Sequence, residues 1–572
     1  MHEGVVAGIG PGARYRLRLD DGPALPDPCS RFQPKGVHGP SEVVDPAFAW
    51  TDEGWPGLSA DGLAIYELHV GTYTPEGTFR ALISQLAHLR ELGVNAIELM
   101  PVAAFPGERG WGYDGVALWA PFHPYGRPED LKALVDAAHG HGLGIILDVV
   151  YNHLGPDGNF LRAFAGDYFT DRHHTPWGEA INFDGPNNRF VRDFILGNAL
   201  LWLDDYHMDG LRLDATHAII DDSPLHILAE LNDRLRAEIP RGVVLIAEDE
   251  RRDPTPIRDR DGGGHGLDAV WADGFHHELH VRLTGERSSY FAGYVGSAEG
   301  IANAIRGGFI TSSDHDGDGI ADGDASPGAA WLGEEPARSF VFCTQNHDQV
   351  GNRAFGERLE HLVGREAARM ATAIQLFAPE TPLLFMGEEF AASAPFQYFT
   401  DHEPALGKLV SEGREREFGG LGRAQGHPDP VPDPQAEATF LRSKLDLSER
   451  ETNAPMLALY TELLRLRRED PVLRVQDRAR TRAAGLSAAV LAVHRWTAAG
   501  NRLLLANTER EPVRIAWENL PRSLGLPKSA AGWVPLLSTG EARFGGSAGL
   551  PTADADGIAL PGMTAVVLGR EG

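Results

Sequence analysis

A (β/α)8 barrel followed by a β-sandwich is the fold this sequence predicts, and three observations predict it. Between about Ala64 and Glu389, eight short apolar runs alternate with amphipathic helical patterns, which is how a parallel sheet with crossover helices reads. The C-terminal ends of those runs carry the titratable residues, as barrel strands do around an active site. Beyond residue 476 the chain changes to strand-like runs with Gly-rich turns, the pattern of a small sandwich.

In chain order, GARYRLRLDDG reads as two strands around a turn and LPDPCSRFQPKGVHGPSEVVDP as a Pro-rich linker, so residues 1–55 are assigned to a short β remnant and its linker. The barrel, with inserted loops, is placed at 56–475 on the runs AIYELHV, AIELMPV, GIILDVV, GLRLDAT, VLIAED, AVWADGF, FVFCTQNH and PLLFMGEE. Between the first two, Phe79, Leu82, Ile83 and Leu86 fall at helical spacing, and Gly93 offers the left-handed residue that ends a helix. In DSPLHILAEL, Ser223 is a candidate cap and Pro224 a first helical residue. A doubly wound open sheet is the alternative arrangement. PMLALYTELLRLRRED predicts a helix with Leu457, Tyr460, Leu463 and Leu464 on one stripe. AVLAVHRW, RLLLANT, ARFGG and AVVLGR then supply strands for a sandwich at 476–572.

Composition narrows the function. A net charge of −29 over 572 residues excludes a surface that tracks phosphates, so no nucleic-acid partner is expected. Cys29 and Cys343 are the only cysteines, which excludes a disulfide framework and a cysteine-rich metal site. MHEGVVAGIG lacks a basic stretch and an apolar run of signal-peptide length. With no apolar segment of about 18 residues elsewhere, the expectation is a cytoplasmic protein without a membrane partner.

The strand ends then name the chemistry. Strand three ends in Asp148, Asn152 and His153, strand four in Arg212, Asp214 and His217, strand five in Glu248, and strand seven in His347 and Asp348. Period-two spacing points Arg212 and Asp214 to one side of their strand. Three converging carboxylates with an arginine suit glycoside cleavage. One carboxyl is held protonated for the leaving oxygen, and a second, ionised, attacks the anomeric carbon. An adjacent guanidinium favours the ionised form, and Arg212 stands beside Asp214. The histidines and acids would also suit a divalent cation, but the sequence has no HExxH helix or similar ligand pair.

DVVYNH, DGLRLDATH, IAEDE and QNHDQ, in that order, resemble the four motifs of the α-amylase superfamily, glycoside hydrolase family 13. The resemblance covers the barrel and both flanks. It implies a retaining mechanism with Asp214 as nucleophile, Glu248 as general acid/base and Asp348 as transition-state stabiliser. It implies sugar contacts from Arg212, His153, His347, Tyr113 and Asp114, and from the motif neighbours Leu213, Ala215, Thr216, His217, Gln349, Gly351 and Asn352. YELHVGTYTPEGTF, DGFHHELHVRLTGE and PFQYFTDH further resemble members that release trehalose. These imply hydrolysis of the α-1,4 bond next to the terminal trehalose of a maltooligosyltrehalose, leaving a maltooligosaccharide. They also imply no required cofactor, functional pairing with a maltooligosyltrehalose-forming enzyme, and a leaving-group site formed by Asp273, Phe275, His276 and His277. For Trp177 and Phe399, sugar stacking and a local loop core both stay open. Glycogen branching enzyme, or another α-1,4-glucan transferase of the superfamily, is the alternative. A catalytically dead glucan-binding protein would have lost a carboxylate, and all three are in place.

Two departures stand out. Family members open with a complete immunoglobulin-like sandwich, whereas here about twenty residues precede the linker, so a truncated N-terminal domain is expected. SSDHDGDGIADGDAS places Asp314, Asp316 and Asp318 before Gly319, with Asp322 beyond, at the one-three-five spacing of a calcium loop. The twelfth position is Ala325, which cannot supply the bidentate carboxylate, so a non-catalytic calcium loop and a solvated acidic loop both remain. Calorimetry with calcium decides: a calcium loop gives heat that an Asp316→Ala, Asp318→Ala variant lacks, and equal heats from both proteins remove it.

Overall fold

The computed structural model describes residues 6–310, 335–424, 430–520, 522–526 and 532–571. Its eight apolar runs close into one parallel barrel in chain order. The strands are β1 (Ile65–Leu68), β2 (Ala96–Leu99), β3 (Gly144–Val149), β4 (Gly210–Leu213), β5 (Val244–Ala247), β6 (Ala269–Trp271), β7 (Phe340–Cys343) and β8 (Thr381–Phe385). Seven lie within the runs read from the sequence, and β8 starts one residue before its run, at Thr381.

Both faces of such strands are covered, so the apolar runs are nearly continuous. Outward residues such as Leu68, Ile97, Leu147, Leu211, Leu213 and Leu245 join the large core beneath the helices. Inward residues Ile65, Ala96, Ile146, Val244, Ile246, Val341 and Leu383 pack against one another inside the barrel. Each buried aliphatic or aromatic side chain contributes roughly 1.5–3 kcal/mol. Two residues further along the inward face, the chemistry inverts to Glu67, Glu98, Asp148 and Arg212, all buried. Asp148 and Arg212 are direct register partners between β3 and β4. On the other side Gly210 admits the close approach of β5, since a Cβ there would lie 2.5 Å from the Val244 carbonyl.

The helices follow from local signals, with two corrections. The segment before Gly93 is two helices, α1 (Phe79–Ile83) and α2 (Leu86–Leu92). The helix breaks where the Ser84 hydroxyl bonds back to the Ala81 carbonyl at 2.8 Å, a competition typical of serine. Gly93 ends α2 at φ 110° as expected. In α3 (Pro128–Gly140), Leu131, Leu134, Val135 and Ala138 form the buried stripe. After α4 (Asn188–Leu200), Ser223 and Pro224 do not open the next helix, α5 (Ile227–Glu238). His226 takes that role, its Nδ1 accepting from the backbone N–H of Leu228 at 3.2 Å, while Asp221 accepts from the backbone N–H of Ser223 at 2.9 Å and of Ile227 at 2.6 Å. Helices α6 (Gly274–Thr284), α7 (Ala298–Gly307) and α8 (Arg365–Phe377) complete the set used below.

At the N-terminal end, Leu17–Arg18 turns back onto Ala24–Leu25, while Arg14–Tyr15 pairs with Ser41–Glu42. The segment reaching the barrel is clamped to its base. Asp209 accepts from the Trp55 indole at 2.7 Å, the Ile145 N–H at 2.9 Å and His139 Nε2 at 2.9 Å. His139 Nδ1 in turn lies 2.8 Å from Asp52.

After α9 (Ala454–Glu469), the chain forms β9 (Thr481–Gly485), β10 (Val490–Thr497), β11 (Gly500–Asn507), β12 (Val513–Ala516), β13 (Val534–Ser538), β14 (Gly557–Leu560) and β15 (Thr564–Glu571). They pair as a five-stranded antiparallel sheet in the order β9-β10-β11-β15-β13, and as the pair β12-β14. Ala492, Leu503, Ile515, Ile558, Val566 and Leu568 fill the space between. ARFGG is not a strand: Ala542–Phe544 is a 3-10 turn ending at Gly545, φ 78°. Buried Arg495 joins the sheet to the barrel by donating to the Phe377 carbonyl at the end of α8 at 2.7 Å. Among the described residues no helix is long and apolar enough to cross a membrane.

Because Asp209 is fully buried with three hydrogen-bond partners, Asp209→Ala should cost about 3–5 kcal/mol, the usual loss when a buried pair loses a partner. Urea unfolding checks this, and a midpoint unchanged from wild type would show that the clamp contributes nothing.

Candidate active site

Arg212 organises the barrel mouth. It has no exposed surface and lies across the Trp271 ring at 4.2 Å. Its Nη1 donates to both oxygens of Asp148 at 2.8 Å and to Asp214 Oδ1 at 2.8 Å, and Nη2 lies 2.8 Å from Glu248 Oε2. Burial opposes the cation, but Asp148, Glu248 and Asp214 hold its pKa well above the usual value. Asp214 Oδ2 accepts from Asn152 at 2.7 Å.

Glu248 sits differently. Its Oε2 accepts the Ala215 N–H at 2.8 Å, and Glu248 also lines the cavity described below. Burial raises the Glu248 pKa, against the pull of Arg212. Ala215 reaches this acceptor from a left-handed conformation, φ 39°, unusual for a residue with a Cβ. Thr216 secures the other side, its hydroxyl donating to the Glu248 carbonyl at 2.7 Å.

Asp348 lies at the start of the segment after β7, with Asn352 donating to its Oδ1 at 3.1 Å and His347 Nε2 3.5 Å away. Burial raises its pKa, and His347 lowers it. His347 is itself buried, which disfavours its cation, yet Asp348 and Glu67 carry its pKa up to about 10. The Tyr113 ring stacks on His347 at 5.2 Å, and its hydroxyl lies 2.7 Å from His347 Nε2 and 2.5 Å from Asp148 Oδ2. Asp114, beside it, faces His402 at 3.5 Å. His153 contacts Asn152 and stacks on Trp177 at 4.9 Å. Trp177, at a hairpin tip, remains half exposed.

A cavity of about 770 Å³ opens beside these acids, lined by Glu248, Asp348, Gln349, Asn352, His217, Asp273 and His277. Asp273 is raised to about 7 by burial and then by Glu248, Glu250 and Asp348. Burial, helped by Arg252 and His280, lowers His277 to about 3. It is therefore a neutral imidazole, and neither ring nitrogen has a partner among the described residues. That combination, one donor and one acceptor, suits sugar hydroxyls.

Several expected contacts are not available. Phe275 has no exposed surface and stacks on Phe342 at 4.5 Å in the core. His276 is buried between His280 and Phe291 and does not line the cavity. Leu213 points outward into the core. Gly351 lies under Trp111, where a Cβ would come within 2.1 Å of the indole. Phe399 is a loop-core residue packed on His69 and Phe440. Arg212 and His347 are covered, and neither lines the cavity. Sequence reading missed Glu67, Trp271, Arg252, Tyr290 and Tyr294. The first two sit inside expected strands, while the last three line the cavity from irregular loops without a motif.

The candidate calcium ligands Asp314, Asp316, Asp318 and Asp322 lie outside the described residues. Among the described residues, His173, Asp184 and Asp222 are close enough to share a cation, but Arg172 already sits 3.0 Å from Asp184.

The sequence profile of the alpha-amylase catalytic domain matches residues 47–189. A malto-oligosyltrehalose trehalohydrolase of Deinococcus radiodurans is 49% identical, covering 90% of this chain and 83% of that protein. Another of that name from Arthrobacter ramosus is 48% identical over 80% of this chain and 79% of its own length. A crystal structure provisionally described as an alpha amylase of Salmonella typhimurium superposes with a TM-score of 0.85 at 39% identity, covering 100% of this chain and 94% of the other. Barrel, carboxylates and relatives together define a glycosidase of the α-amylase class. Within that class, the chain belongs to the malto-oligosyltrehalose trehalohydrolase family.

The burial of Phe275 gives a direct check on its reassignment. Phe275→Ala should lose about 3–5 kcal/mol of stability, measured by urea unfolding. A loss below about 1 kcal/mol would return Phe275 to the cavity wall.

Proposed function

We propose that this chain hydrolyses the α-1,4-glucosidic bond next to the terminal trehalose of a maltooligosyltrehalose, with retention, releasing trehalose and a maltooligosaccharide. One observation carries the chemistry: Asp214 and Glu248 face the same buried guanidinium, each at 2.8 Å, but differ in their other partners. Asp214 is ion-paired and hydrogen-bonded by Asn152, as a nucleophile should be. Glu248 is driven toward its protonated form by burial and lines the cavity.

In this reading Asp214 attacks the anomeric carbon while Glu248 protonates the departing glycosidic oxygen. A glycosyl ester forms on Asp214. Glu248, now a carboxylate, takes a proton from water, which attacks the same carbon and restores both acids. Asp348, held by Asn352, binds sugar hydroxyls as charge develops on the ring, and Tyr113 forms the floor. The general acid stands on the leaving-group side, and the cavity runs from Glu248 past Asp273 and His277 toward Tyr290 and Tyr294. The trehalose unit is placed there, with Trp177 and His153 flanking the sugar chain. Arg252 lines the same side.

The free thiols of Cys29 and Cys343 agree with a cytoplasmic setting. A partner enzyme that forms maltooligosyltrehalose would supply the substrate. Calcium in the 314–322 segment would be structural, since the acid and nucleophile above need no metal.

Incubation with maltotriosyltrehalose should release free trehalose and maltotriose, while a glucan transferase would instead return longer or branched oligosaccharides. Absence of trehalose would overturn the reading. Asp214→Ala should lower kcat at least about 10³-fold, the scale on which loss of a covalent nucleophile acts. Full activity in that variant would remove Asp214 from the role.

A further inference from the structure

Glu67 on β1 has no step in the reaction above, yet both of its oxygens close on one residue. Oε2 accepts the backbone N–H of His347 at 2.9 Å, and Oε1 lies 2.5 Å from His347 Nδ1. Both side chains are 1% exposed, so water does not compete for these bonds.

The protons on the far side of the ring can be counted. Both oxygens of Asp148 already accept from Arg212, and the Tyr113 hydroxyl stands 2.5 Å from Oδ2. Tyr113 has one proton, which it donates to Asp148. Toward His347 Nε2, 2.7 Å away, the phenol oxygen therefore accepts. Nε2 must carry a proton, and Nδ1, facing a carboxylate, must carry one too. The ring is an imidazolium.

We propose that Glu67 is a positioning residue that fixes His347 as a cation, and that this cation keeps Asp348, 3.5 Å away, as the carboxylate that binds sugar. The inference rests on the reading of Asp348 given above. The other charged or titratable groups around the ring do not change the assignment. Arg212 on β4 opposes the cation, and Asp348 with Glu67 outweighs it. Glu98 on β2 is held well above the carboxylate range by burial and by its neighbours Glu67 and Asp148, so it is neutral. His69 on β1 is lowered to about 3 by burial and is also neutral. Burial raises Asp148 on β3 to about 7 against the pull of Arg212 and His347, so its carboxylate and the His347 cation favour each other, and Glu248, just past β5 and raised by burial, is lowered by the same ring.

Glu67→Gln keeps the shape and removes the charge. A His347 raised by its partners is cationic below its folded pKa and loses the cation as pH rises through it. Without Glu67 that loss moves down toward the ordinary histidine value, about 6.5. Asp348 then protonates more readily. The kcat/KM profile on maltotriosyltrehalose should narrow from both sides, falling at least about tenfold below wild type at pH 8 relative to its own optimum. Imidazole 15N spectra, with His347 assigned by its disappearance in His347→Gln, should show both nitrogens protonated in wild type at neutral pH and one deprotonated in Glu67→Gln. Glu67→Asp should recover part of the cation and of the profile.

A neutral His347 in wild type overturns the inference without any variant being folded. So does a Glu67→Gln profile that superimposes on wild type after scaling. The 15N readout does not depend on activity, so failure of wild type to release trehalose would overturn the proposed function and leave the charge of His347 measured on its own.

Discussion

A unit positive charge buried inside the barrel is the constraint on which the rest of the site depends. Moving a guanidinium out of water costs several kcal/mol even after relaxation, and Arg212 has no exposed surface at all. That cost is offset only if acceptors meet it at hydrogen-bond distance, and the carboxyl groups of Asp148, Asp214 and Glu248 do so from the ends of three adjacent strands. The proposed catalytic acids are thus part of the shell around the guanidinium, and their positions are set by folding before any substrate arrives. Trp271, its ring 4.2 Å from the guanidinium, adds an aromatic face to that shell.

This arrangement ties the loops to the barrel by a relay of hydrogen bonds. Asp148 holds Tyr113 from the excursion after β2, Tyr113 meets His347 after β7, and His347 returns to Glu67 on β1. The Trp111 indole donates to the Gln397 carbonyl at 3.0 Å and brings in the loop after β8. Preorganisation of this kind is what electrostatic catalysis requires, because groups already aimed at the developing charge need not reorganise during the reaction.

The barrel was legible because parallel strands buried on both faces leave continuous apolar runs, as in GIILDVV and FVFCTQNH. The acids were legible because they follow those runs at a period of two. What stayed hidden depends on distance in space. Glu67 lies within AIYELHV and looked like a strand residue, since its partner His347 is 280 positions away. Tyr290 and Tyr294 come from a segment with no periodicity, and only the cavity reveals their role. Phe275 and His276 misled for the opposite reason: they share a motif with Asp273 and His277, but at helical spacing neighbours point in different directions, and α6 turns Phe275 into the core. Ser223 lost its cap to His226, with Asp221 holding the first helical N–H, a competition that composition alone cannot rank.

Ala215 carries a further consequence. Its left-handed backbone costs roughly 1–2 kcal/mol for a residue with a Cβ, and it aims the amide that pins Glu248 Oε2. A sequence optimised for ruggedness would place glycine there and remove the penalty. The same change would loosen the hinge between two strand ends and let the acid wander from its bearing. At this position thermal robustness and catalytic aim pull in opposite directions, so an engineer hardening this enzyme against heat should leave the strained alanine alone.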